Sequence, residues 1–485
     1  MSIMYSLSPS RAYPCDAILT VTPPTCNVVA ARSVLTNDVR HSGTCGAFDL
    51  SNFRGGNMRK NAVAFAVGAL FAAPAAFGQM VFGNDTIGTV QFYGKLYPQV
   101  ISGSSSGATQ PGAGVSTLVS TTNVLTGAAV ENPGRRISVD TQNSYLGFRG
   151  ERKLGNTGLT GIWQIEQSVN FDAPGCAAGE SCSGFSTRNS FLGLQGGFGT
   201  VKLGNMDTVY QEYGQVVSMF GLTSGNFISA SNVLSQIGVG NSSTARFHER
   251  AANSIQYFTP DLGGFQAGLQ YSPYESRNDV GDSLNKALFS AGIKYDTKQM
   301  YASLQYEQHK DRFGGSANLG AAGLRNGTGS GSTFVAATGA HSEDTAIRLS
   351  GRFNFGNHTL AGDISRLEYK ESGQATGAKF VSYKHTTFAV GVESKWGGPW
   401  RTALQYVSGN EGSCTLTIGD CSTTGLTGRL YALGVAYDLD PQTFLYMFAS
   451  RLDNGPSARY NNWASSNPAR GGDVTQVAVG LQYRF

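Results

Sequence analysis

The sequence predicts an all-β protein, a closed antiparallel transmembrane β-barrel of 16 strands. Three observations predict it: an alternating C-terminal segment, an unusual composition, and connections that alternate between short and long. In residues 473–485 one parity is apolar and ends in Tyr483 and Phe485, whereas the other parity is small or polar. A strand points successive side chains to opposite faces, so this segment has one apolar and one polar side. Such a segment is typical of a lipid-facing strand whose other side faces a water-filled lumen.

The composition separates this chain from helical and disordered proteins. Charged residues make up only 14%, aromatic residues 11%, and the 485 residues include 64 Gly but only 15 Pro. Disordered chains lack so many aromatic residues, and helical proteins contain less glycine. A low charge content with a mean hydropathy of −0.17 suits a sheet that has one face in lipid and one in water.

The net charge gives no reason to expect a nucleic-acid partner. The formal charge of the whole chain is +4 at pH 7. Residues 1–78 contain six Lys and Arg and three Asp and Glu, which leaves 30 basic and 29 acidic residues in the remainder. A balanced chain lacks the positive field that attracts nucleic acids.

Residues 58–78 have the three parts of a secretory signal peptide. Arg59-Lys60 forms the charged start, residues 61–77 the apolar core, and Ala76-Phe77-Gly78 the small-residue cleavage site. A short membrane anchor is the alternative, but the apolar run is too short to span a bilayer comfortably. Because a signal peptide acts at an N-terminus, we interpret residues 1–57 as a disordered, non-native extension that is read from an upstream start codon.

Four of the seven cysteines form two close pairs in Gly-rich and Ser-rich segments, and the other three lie within residues 1–57. An exported chain meets an oxidising compartment, so we expect local disulfides Cys176–Cys182 and Cys414–Cys421. Free thiols are the alternative. No histidine lies near either pair in the sequence, so a metal site is not expected there.

Alternation recurs along residues 79–485, which we expect to form the barrel domain. It predicts sixteen strands, an even number that closes without an edge. The predicted strands are 90–97, 136–149, 159–166, 188–194, 200–203, 254–257, 265–271, 289–295, 300–307, 347–355, 358–365, 387–393, 400–406, 432–437, 444–450 and 473–485.

The connections between the predicted strands alternate in length. Short turns such as 196–199, 296–298 and 397–399 are interspersed with long polar loops such as 312–342 and 453–472. Short turns at one end and long loops at the other are typical of bacterial outer-membrane barrels. A soluble β-sandwich has no reason to separate them in this way.

The segment 205–250 interrupts the alternation and is too long for an ordinary loop. It contains large apolar residues, including Tyr210, Phe220 and Phe227. A long segment with its own apolar side chains is either functional or disordered. We expect these side chains to pack on the inner wall of a wide barrel, where the segment would narrow the channel.

Eight short motifs occur in one order along residues 79–485, and their combination is specific although each is weak alone. They are Val90-Gln-Phe-Tyr-Gly94, Ser144-Tyr-Leu-Gly-Phe-Arg-Gly150, Leu154-Gly155, Ile162-Trp-Gln-Ile-Glu-Gln167, Arg188-Asn-Ser-Phe-Leu-Gly-Leu194, Gly199-Thr-Val-Lys-Leu-Gly204, Asn253-Ser-Ile-Gln-Tyr257 and Gln482-Tyr-Arg-Phe485. In this combination the chain resembles the general trimeric porins of Gram-negative outer membranes, of the neisserial and beta-proteobacterial type.

The resemblance implies a sixteen-stranded barrel, a homotrimer, and a third loop folded into the lumen. It implies passive diffusion of small hydrophilic solutes and ions without a cofactor. It places the protein in the cell outer membrane of a Gram-negative bacterium, among lipid and lipopolysaccharide. It also implies that the barrel-assembly machinery reads the C-terminal signal of Tyr483 and Phe485.

Members of this family line their channel constriction with arginines that face acidic groups. Arg188 and Arg250 match two of the basic positions, and Glu166 matches an acidic one. The chain departs from the family at two positions, where Tyr145 and Asn205 replace the usual arginines.

Other charged residues compensate for these departures in the predicted constriction. Lys95, Arg149 and Lys202 are bases on the inward parity, and Asp207 and Glu212 are acids that we expect on the loop. The full predicted constriction is Lys95, Arg149, Glu166, Arg188, Asp207, Glu212 and Arg250.

By parity, eight inward-facing bases outnumber four inward-facing acids, which predicts a mild preference for anions that salt weakens. The bases are Lys95, Arg149, Arg188, Arg250, Lys294, Arg348, Arg352 and Arg401, and the acids are Glu166, Glu307, Asp363 and Glu393.

A substrate-specific outer-membrane channel with a saturable ligand site is the alternative to general diffusion. An enzyme is not expected, because residues 196–199 fit a hairpin turn better than a phosphate loop and no GxSxG motif occurs. The six histidines are scattered without the spacing of metal ligands.

Overall fold

The computed structural model describes most of residues 80–485. The signal peptide predicted at 58–78, the extension predicted at 1–57 and the disulfide predicted between Cys176 and Cys182 lie outside the described residues. The described residues are 80–84, 88–110, 114–119, 132–169, 188–222, 226–240, 246–273, 285–328, 335–336, 339–463 and 466–485.

The described chain is almost entirely β-structure. Two short helices occur, α1 (Val209–Gly214) and α2 (Ser231–Leu234), with two 3₁₀ turns at Gly315–Asn318 and Ala322–Leu324. Among the described residues, no helix has the length and apolar character needed to cross a membrane. The strands are β1 (Met80–Asn84), β2 (Gly88–Leu96), β3 (Gln99–Ser106), β4 (Arg136–Asp140), β5 (Tyr145–Lys153), β6 (Thr160–Ser168), β7 (Ser190–Gly196), β8 (Gly199–Asp207), β9 (Arg250–Phe258), β10 (Phe265–Ser272), β11 (Ala287–Asp296), β12 (Met300–Lys310), β13 (Gly327–Thr328), β14 (Val335–Ala336), β15 (His341–Phe355), β16 (His358–Ser372), β17 (Phe380–Lys395), β18 (Trp400–Gly409), β19 (Ser413–Leu416), β20 (Gly428–Asp438), β21 (Thr443–Asn454) and β22 (Asp473–Arg484).

These strands form a closed antiparallel barrel with sixteen positions around its wall, which confirms the predicted fold class. Twenty strands join one sheet, and β13 pairs only with β14. Strands β2 and β3 follow one another along the same position in the wall, since both pair with β22. Strands β4 and β5 likewise share the next position, since β4 pairs with β3 and β5 pairs with β2. The short strands β1 and β19 pair onto the edges of β2 and β17.

The last strand closes the barrel against the first. Strand β22 pairs with β21 along one edge and with β3 and then β2 along the other. The backbones of Phe485 and Gly94 exchange two hydrogen bonds of 3.0 and 3.2 Å. Because a lipid-exposed strand edge would leave polar groups unsatisfied, this closure is what permits a sheet to span a membrane.

The two faces of the wall follow the alternation predicted from the sequence. In β22, Val479 is 57% exposed and Tyr483 41%, whereas Gln476 and Gln482 are each 1% exposed. Such a row of exposed apolar side chains is abnormal for a water-soluble surface. The apolar side therefore faces lipid, and the polar side faces the interior.

Aromatic side chains form two girdles on the outer face. One girdle lies near the short turns, where the rings of Trp400 and Tyr437 are 4.9 Å apart. The other lies toward the long connections, where Tyr406 is 5.1 Å from Tyr431 and 5.7 Å from Phe388. Paired girdles mark the two interfaces of a bilayer, so their positions indicate how deeply the barrel sits in the membrane.

The long connections interlock at one end of the barrel. The backbone N–H of Ser116 donates to Ser457 Oγ at 2.8 Å, and the Thr117 and Ser422 backbones are also joined. Cys414 and Cys421 form a disulfide with a Cα separation of 5.5 Å, which confirms the second predicted pair. These contacts hold loops that are distant in sequence against one another.

The wall is so closely packed near its seam that one glycine has no room for a side chain. A β-carbon at Gly480 would lie 2.3 Å from Tyr446 Oη and 2.8 Å from the carbonyl oxygen of Pro98. Tyr446 is buried and packs on Phe448 at 4.8 Å, so its ring has little freedom to move away.

We therefore expect Gly480→Ala to destabilise the folded barrel by about 1–3 kcal/mol, as overpacking typically does. The measurement is the urea midpoint or the temperature at which the folded band disappears in gel electrophoresis. Gly397→Ala is the matched control, because a β-carbon there meets no atom within 4 Å. Equal stability of the two variants would contradict this account of the seam.

Candidate functional site

The inner face of strands β2 to β8 carries a connected group of charged and aromatic side chains. Arg188 Nε donates to Glu166 Oε1 at 2.5 Å, and Tyr93 Oη donates to Glu166 Oε2 at 3.1 Å. The guanidinium of Arg149 lies 4.7 Å from the centre of the Tyr93 ring. Glu166 is buried, and its two partners satisfy both carboxylate oxygens. Three of the predicted constriction residues therefore lie in one network.

Tyr145 occupies the position where the resembling family has arginine, and it sits between two cations. The ammonium of Lys95 is 5.7 Å from the Tyr145 ring centre, and the Arg188 guanidinium is 4.8 Å from it. Cations are attracted to the face of an aromatic ring. Tyr145 therefore supports two neighbouring positive charges instead of supplying one itself.

Arg250 forms a second ion pair on the same wall. Its Nη2 lies 2.9 Å from Asp207 Oδ1, and its Nε donates to Asn189 Oδ1 at 2.8 Å. Asn189 Nδ2 in turn donates to Asp207 Oδ2 at 2.8 Å. Asp207 is the last residue of β8, not a loop residue as the sequence predicted. Asn205, at the other departure from the family, donates to the carbonyl oxygen of Arg188.

Glu212 is exposed on the short helix α1. Thr208 caps the helix by accepting a hydrogen bond from the Gln211 backbone N–H. Desolvation by the surrounding protein raises the pKa of the Glu212 carboxyl, whereas the positive charge of Lys202 acts to lower it. Glu212 is the only charged residue between positions 208 and 245.

Residues 208–222 and 226–240, which we call the internal segment, are hydrogen-bonded to inward-facing side chains of many strands. The Tyr210 backbone N–H donates to Ser290 Oγ at 2.9 Å, and Tyr301 Oη donates to the carbonyl oxygen of Tyr213 at 2.6 Å. Further along, Thr387 Oγ1 and Gln405 Nε2 donate to backbone carbonyls of the segment at 2.6 and 2.7 Å. The polar inner face of the wall thus satisfies the backbone of the segment.

Apolar side chains of the internal segment pack on small and aromatic residues of the wall. The ring of Phe220 stacks on Phe448 with centres 5.7 Å apart, and Phe227 meets the same ring edge-on. Val233 and Leu234 are fully buried in a cluster that includes wall residues of β18, β20 and β21. The apolar residues that the sequence placed in a long loop therefore have a packing role.

Several inward-facing bases are neutralised by ion pairs on their own wall. Arg348 lies 3.0 Å from Asp363, and Arg401 lies 2.5 Å from Asp438. Arg352 lies 3.5 Å from Asp296. Parity alone counts these bases as free positive charge, so the simple count of inward charges overstates the field they produce.

Other inward-facing bases have no carboxylate within 4.0 Å among the described residues, and four of them lie on β2, β5, β8 and β22. Arg484 was not among the residues predicted from the sequence, although its parity with Gln482 could have identified it. Its backbone is paired with Lys95, and a β-carbon at Gly221 of the internal segment would come within 3.1 Å of its Nη2. The four residues, which we call the basic wall, are Lys95, Arg149, Lys202 and Arg484.

The sequence also missed a buried cluster that fixes the residues following the internal segment. His309 Nε2 lies 3.0 Å from Glu307 Oε1, and the Arg312 guanidinium binds both oxygens of Glu249. Phe247 stacks on the His309 ring with centres 4.8 Å apart. His309 and the two glutamates are metal-ligand types within reach of one another. Because Arg312 already binds both carboxylate oxygens of Glu249, we interpret the cluster as an ion pair that fixes this part of the chain and not as a metal site.

Comparison with known proteins agrees with this architecture. Residues 62–457 match the model of a family described as Gram-negative porin. The major outer membrane protein P.IB of Neisseria lactamica is 27% identical over 281 residues, which cover 53% of this chain and 71% of that protein. P.IA of Neisseria meningitidis serogroup B is 24% identical over 372 residues, covering 72% of this chain and 83% of that protein.

A solved structure shares the fold. The anion-selective porin from Comamonas acidovorans superposes with a TM-score of 0.56 at 22% identity, over 82% of this chain and 99% of that chain. The family match covers most of the sequence, and the closed sixteen-position barrel has one face for lipid and one for water. The chain therefore belongs to the Gram-negative porin family and is a general diffusion channel of the outer membrane.

Proposed function

We propose that this porin passes small hydrophilic solutes with a preference for anions. The charge asymmetry between the basic wall and the internal segment carries this proposal. The basic wall has four cations without a carboxylate partner in the described chain, whereas Glu212 is the only charged residue from 208 to 245. Opposed surfaces of unequal charge screen solutes by their sign.

We propose further that the internal segment lies inside the lumen and sets the size limit. Its hydrogen bonds to Ser290, Thr387 and Gln405 support this position, because these side chains share the inward parity of their strands. The segment's exposed edge then faces the basic wall, with Glu212 near Lys202 and Gly221 near Arg484. Solutes would pass between these two surfaces.

We also propose that the protein assembles as a homotrimer and that its C-terminus is recognised during assembly. The family resemblance supports the trimer. Phe485 packs against Phe92 and Tyr483, with ring centres 5.3 and 5.5 Å apart, at the seam where the barrel closes. Because Phe485 lies where the last strand meets the first, it is a suitable signal for the barrel-assembly machinery.

The anion preference is tested by the reversal potential of single channels in a KCl gradient. We expect the wild type to favour chloride. Lys95→Gln, Lys202→Gln and Arg484→Gln should each lower the anion-to-cation permeability ratio about twofold, since unit charges ~8 Å apart in water interact by ~0.5 kcal/mol. Lys298→Gln in a short turn is the control and should leave the ratio unchanged.

The result that would reject the proposal is a wild-type channel that favours potassium, or a ratio that the three substitutions do not change. The preference should also shrink toward 1 M salt, where the screening length falls to about 3 Å. Chloride or solute flux that saturates at low concentration would instead favour a substrate-specific channel.

The anion preference should increase as the pH falls. Glu212 is negative above its pKa, and that pKa is raised, so the carboxyl becomes neutral at a higher pH than an ordinary glutamate. Loss of this negative charge beside Lys202 leaves the channel more positive. Reversal potentials across a pH series measure the effect.

Glu212→Gln should show the low-pH selectivity at neutral pH and should respond less to further acidification. Glu343→Gln, on the outer face of β15, is the matched control because it removes the same charge outside the lumen. A pH response that is identical in wild type and Glu212→Gln would show that another group controls it.

A further inference from the structure

The long connection between β21 and β22 folds into the barrel and rests on the internal segment. We call its described residues, 455–463 and 466–472, the entrance loop. Asn462 Nδ2 donates to the carbonyl oxygen of Phe227 at 2.7 Å, and the Asn462 carbonyl oxygen accepts from Gln476 Nε2 at 3.3 Å. In an outer-membrane porin the long connections face the cell exterior, so the entrance loop lies on the outer side of the internal segment.

Two arginines of the entrance loop are attached to consecutive residues of the internal segment. The Arg459 backbone N–H donates to the carbonyl oxygen of Gly238 at 2.9 Å. Arg470 Nη1 donates to the carbonyl oxygens of Val239 at 3.0 Å and of Ser457 at 2.7 Å. Both arginines are partly exposed. Backbone groups therefore fix their positions, while part of each side chain remains open to solvent.

The backbone of the entrance loop brings the two arginines close together. The Gly471 N–H donates to the carbonyl oxygen of Ala458 at 2.8 Å, and these two residues are the direct neighbours of Arg470 and Arg459. Arg459 Nε donates to the carbonyl oxygen of Pro468 at 3.3 Å. Burial, together with the positive charge of Arg459, lowers the pKa of Arg470 to about 10. Two like charges are therefore held near each other at this point of the chain.

Within the described chain, no carboxylate oxygen lies within 4.0 Å of Arg459 or Arg470. These arginines are the only charged residues at positions 455–472. The loop that contacts them through Thr109 has no charged residue at positions 96–130. The protein around this site thus supplies little negative charge of its own.

The acidic residues on other segments near this end of the barrel are engaged elsewhere or exposed. Glu249 binds Arg312, and Glu212 lies near Lys202. Asp420 is exposed on the loop closed by the disulfide. The pair of arginines therefore creates a local positive potential that an anion from solution can balance.

Both guanidinium groups keep hydrogen-bond donors for such an anion. In hydrogen bonds with described residues, the Arg459 side chain uses only Nε and the Arg470 side chain uses only Nη1. An arginine side chain has five N–H donors in a planar fork, and this fork matches the oxygens of a phosphate. Two neighbouring forks can therefore hold several oxygens of one phosphate group.

We propose that Arg459 and Arg470 form a binding site for a phosphate group at the outer entrance of the channel. The ligand is inorganic phosphate or the phosphate of a small phosphorylated solute, since both present the same oxygens. The site is separate from the basic wall, because it lies on a different loop and shares no residue with it. The inference rests on the outer-membrane location of the channel and is independent of the anion preference of the basic wall.

The test measures how added phosphate reduces the chloride current of single channels at pH 7. The ionic strength is held at about 0.1 M, where charges up to ~10 Å apart still interact. We expect inorganic phosphate and glycerol phosphate each to reduce the wild-type current. Arg459→Gln/Arg470→Gln should raise the half-blocking concentration at least about tenfold, because both charge-assisted hydrogen-bond donors are removed.

Three further variants separate binding from loop structure. Arg459→Gln leaves both attachments of Arg470 in place and should raise the half-blocking concentration about threefold. Arg459→Lys/Arg470→Lys keeps both charges without the planar forks and should fall between wild type and Arg459→Gln/Arg470→Gln. Arg429→Gln removes an exposed arginine from the outer face of β20 and should behave as wild type.

Conductance in 1 M KCl reports whether the entrance keeps its shape, since the screening length there is only about 3 Å. We expect the same conductance in wild type and in all these variants. A half-blocking concentration that is equal in wild type and Arg459→Gln, with this conductance unchanged, would overturn the proposal.

Two other results would also overturn it. A block that Lys202→Gln abolishes and Arg459→Gln/Arg470→Gln retains would place phosphate at the basic wall. A block by glycerol phosphate without a block by inorganic phosphate would place recognition on the organic part of the solute. A wild-type channel that favours potassium would reject the anion preference, yet a block that depends on Arg459 and Arg470 would still support this site.

Discussion

Backbone hydrogen bonding is the constraint on which the rest of this structure depends. In a bilayer, an unpaired N–H or C=O group has no water to bind and costs several kcal/mol. The pairing of β22 with β2 and β3 removes the last free edge, and the exchange between Phe485 and Gly94 completes it. Once the ring is closed, alternation alone decides which side chains meet lipid and which meet water.

The alternation of apolar and polar side chains made the fold predictable from the sequence. The prediction of strand ends failed where a strand leaves the lipid. The sequence predicted a strand at 358–365, but β16 continues to Ser372. Beyond Ile364 the outward side chains become Arg366, Glu368 and Lys370, so the apolar parity ends although the hydrogen-bonded ladder does not. The strand leaves the hydrocarbon layer there, and a pattern based on lipid contact cannot follow it.

The functional site was only partly accessible from the sequence. Motif and parity together identified Arg188 and Glu166, which the structure joins in one ion pair. The pairing of Arg348 with Asp363 and the contact of Arg484 with the internal segment depend on strand register, which a single sequence does not fix. The anchor between Arg312 and Glu249 joins residues 63 positions apart and has no local signal.

The many attachments of the internal segment have a mechanical consequence. Its backbone is tied to strands from β10 to β18, and its aromatic residues are embedded in the opposite wall. A hinge motion of the internal segment would break all these attachments together, so we expect the segment to stay fixed on the wall while solutes pass. The passage proposed between this segment and the basic wall would therefore keep a constant width.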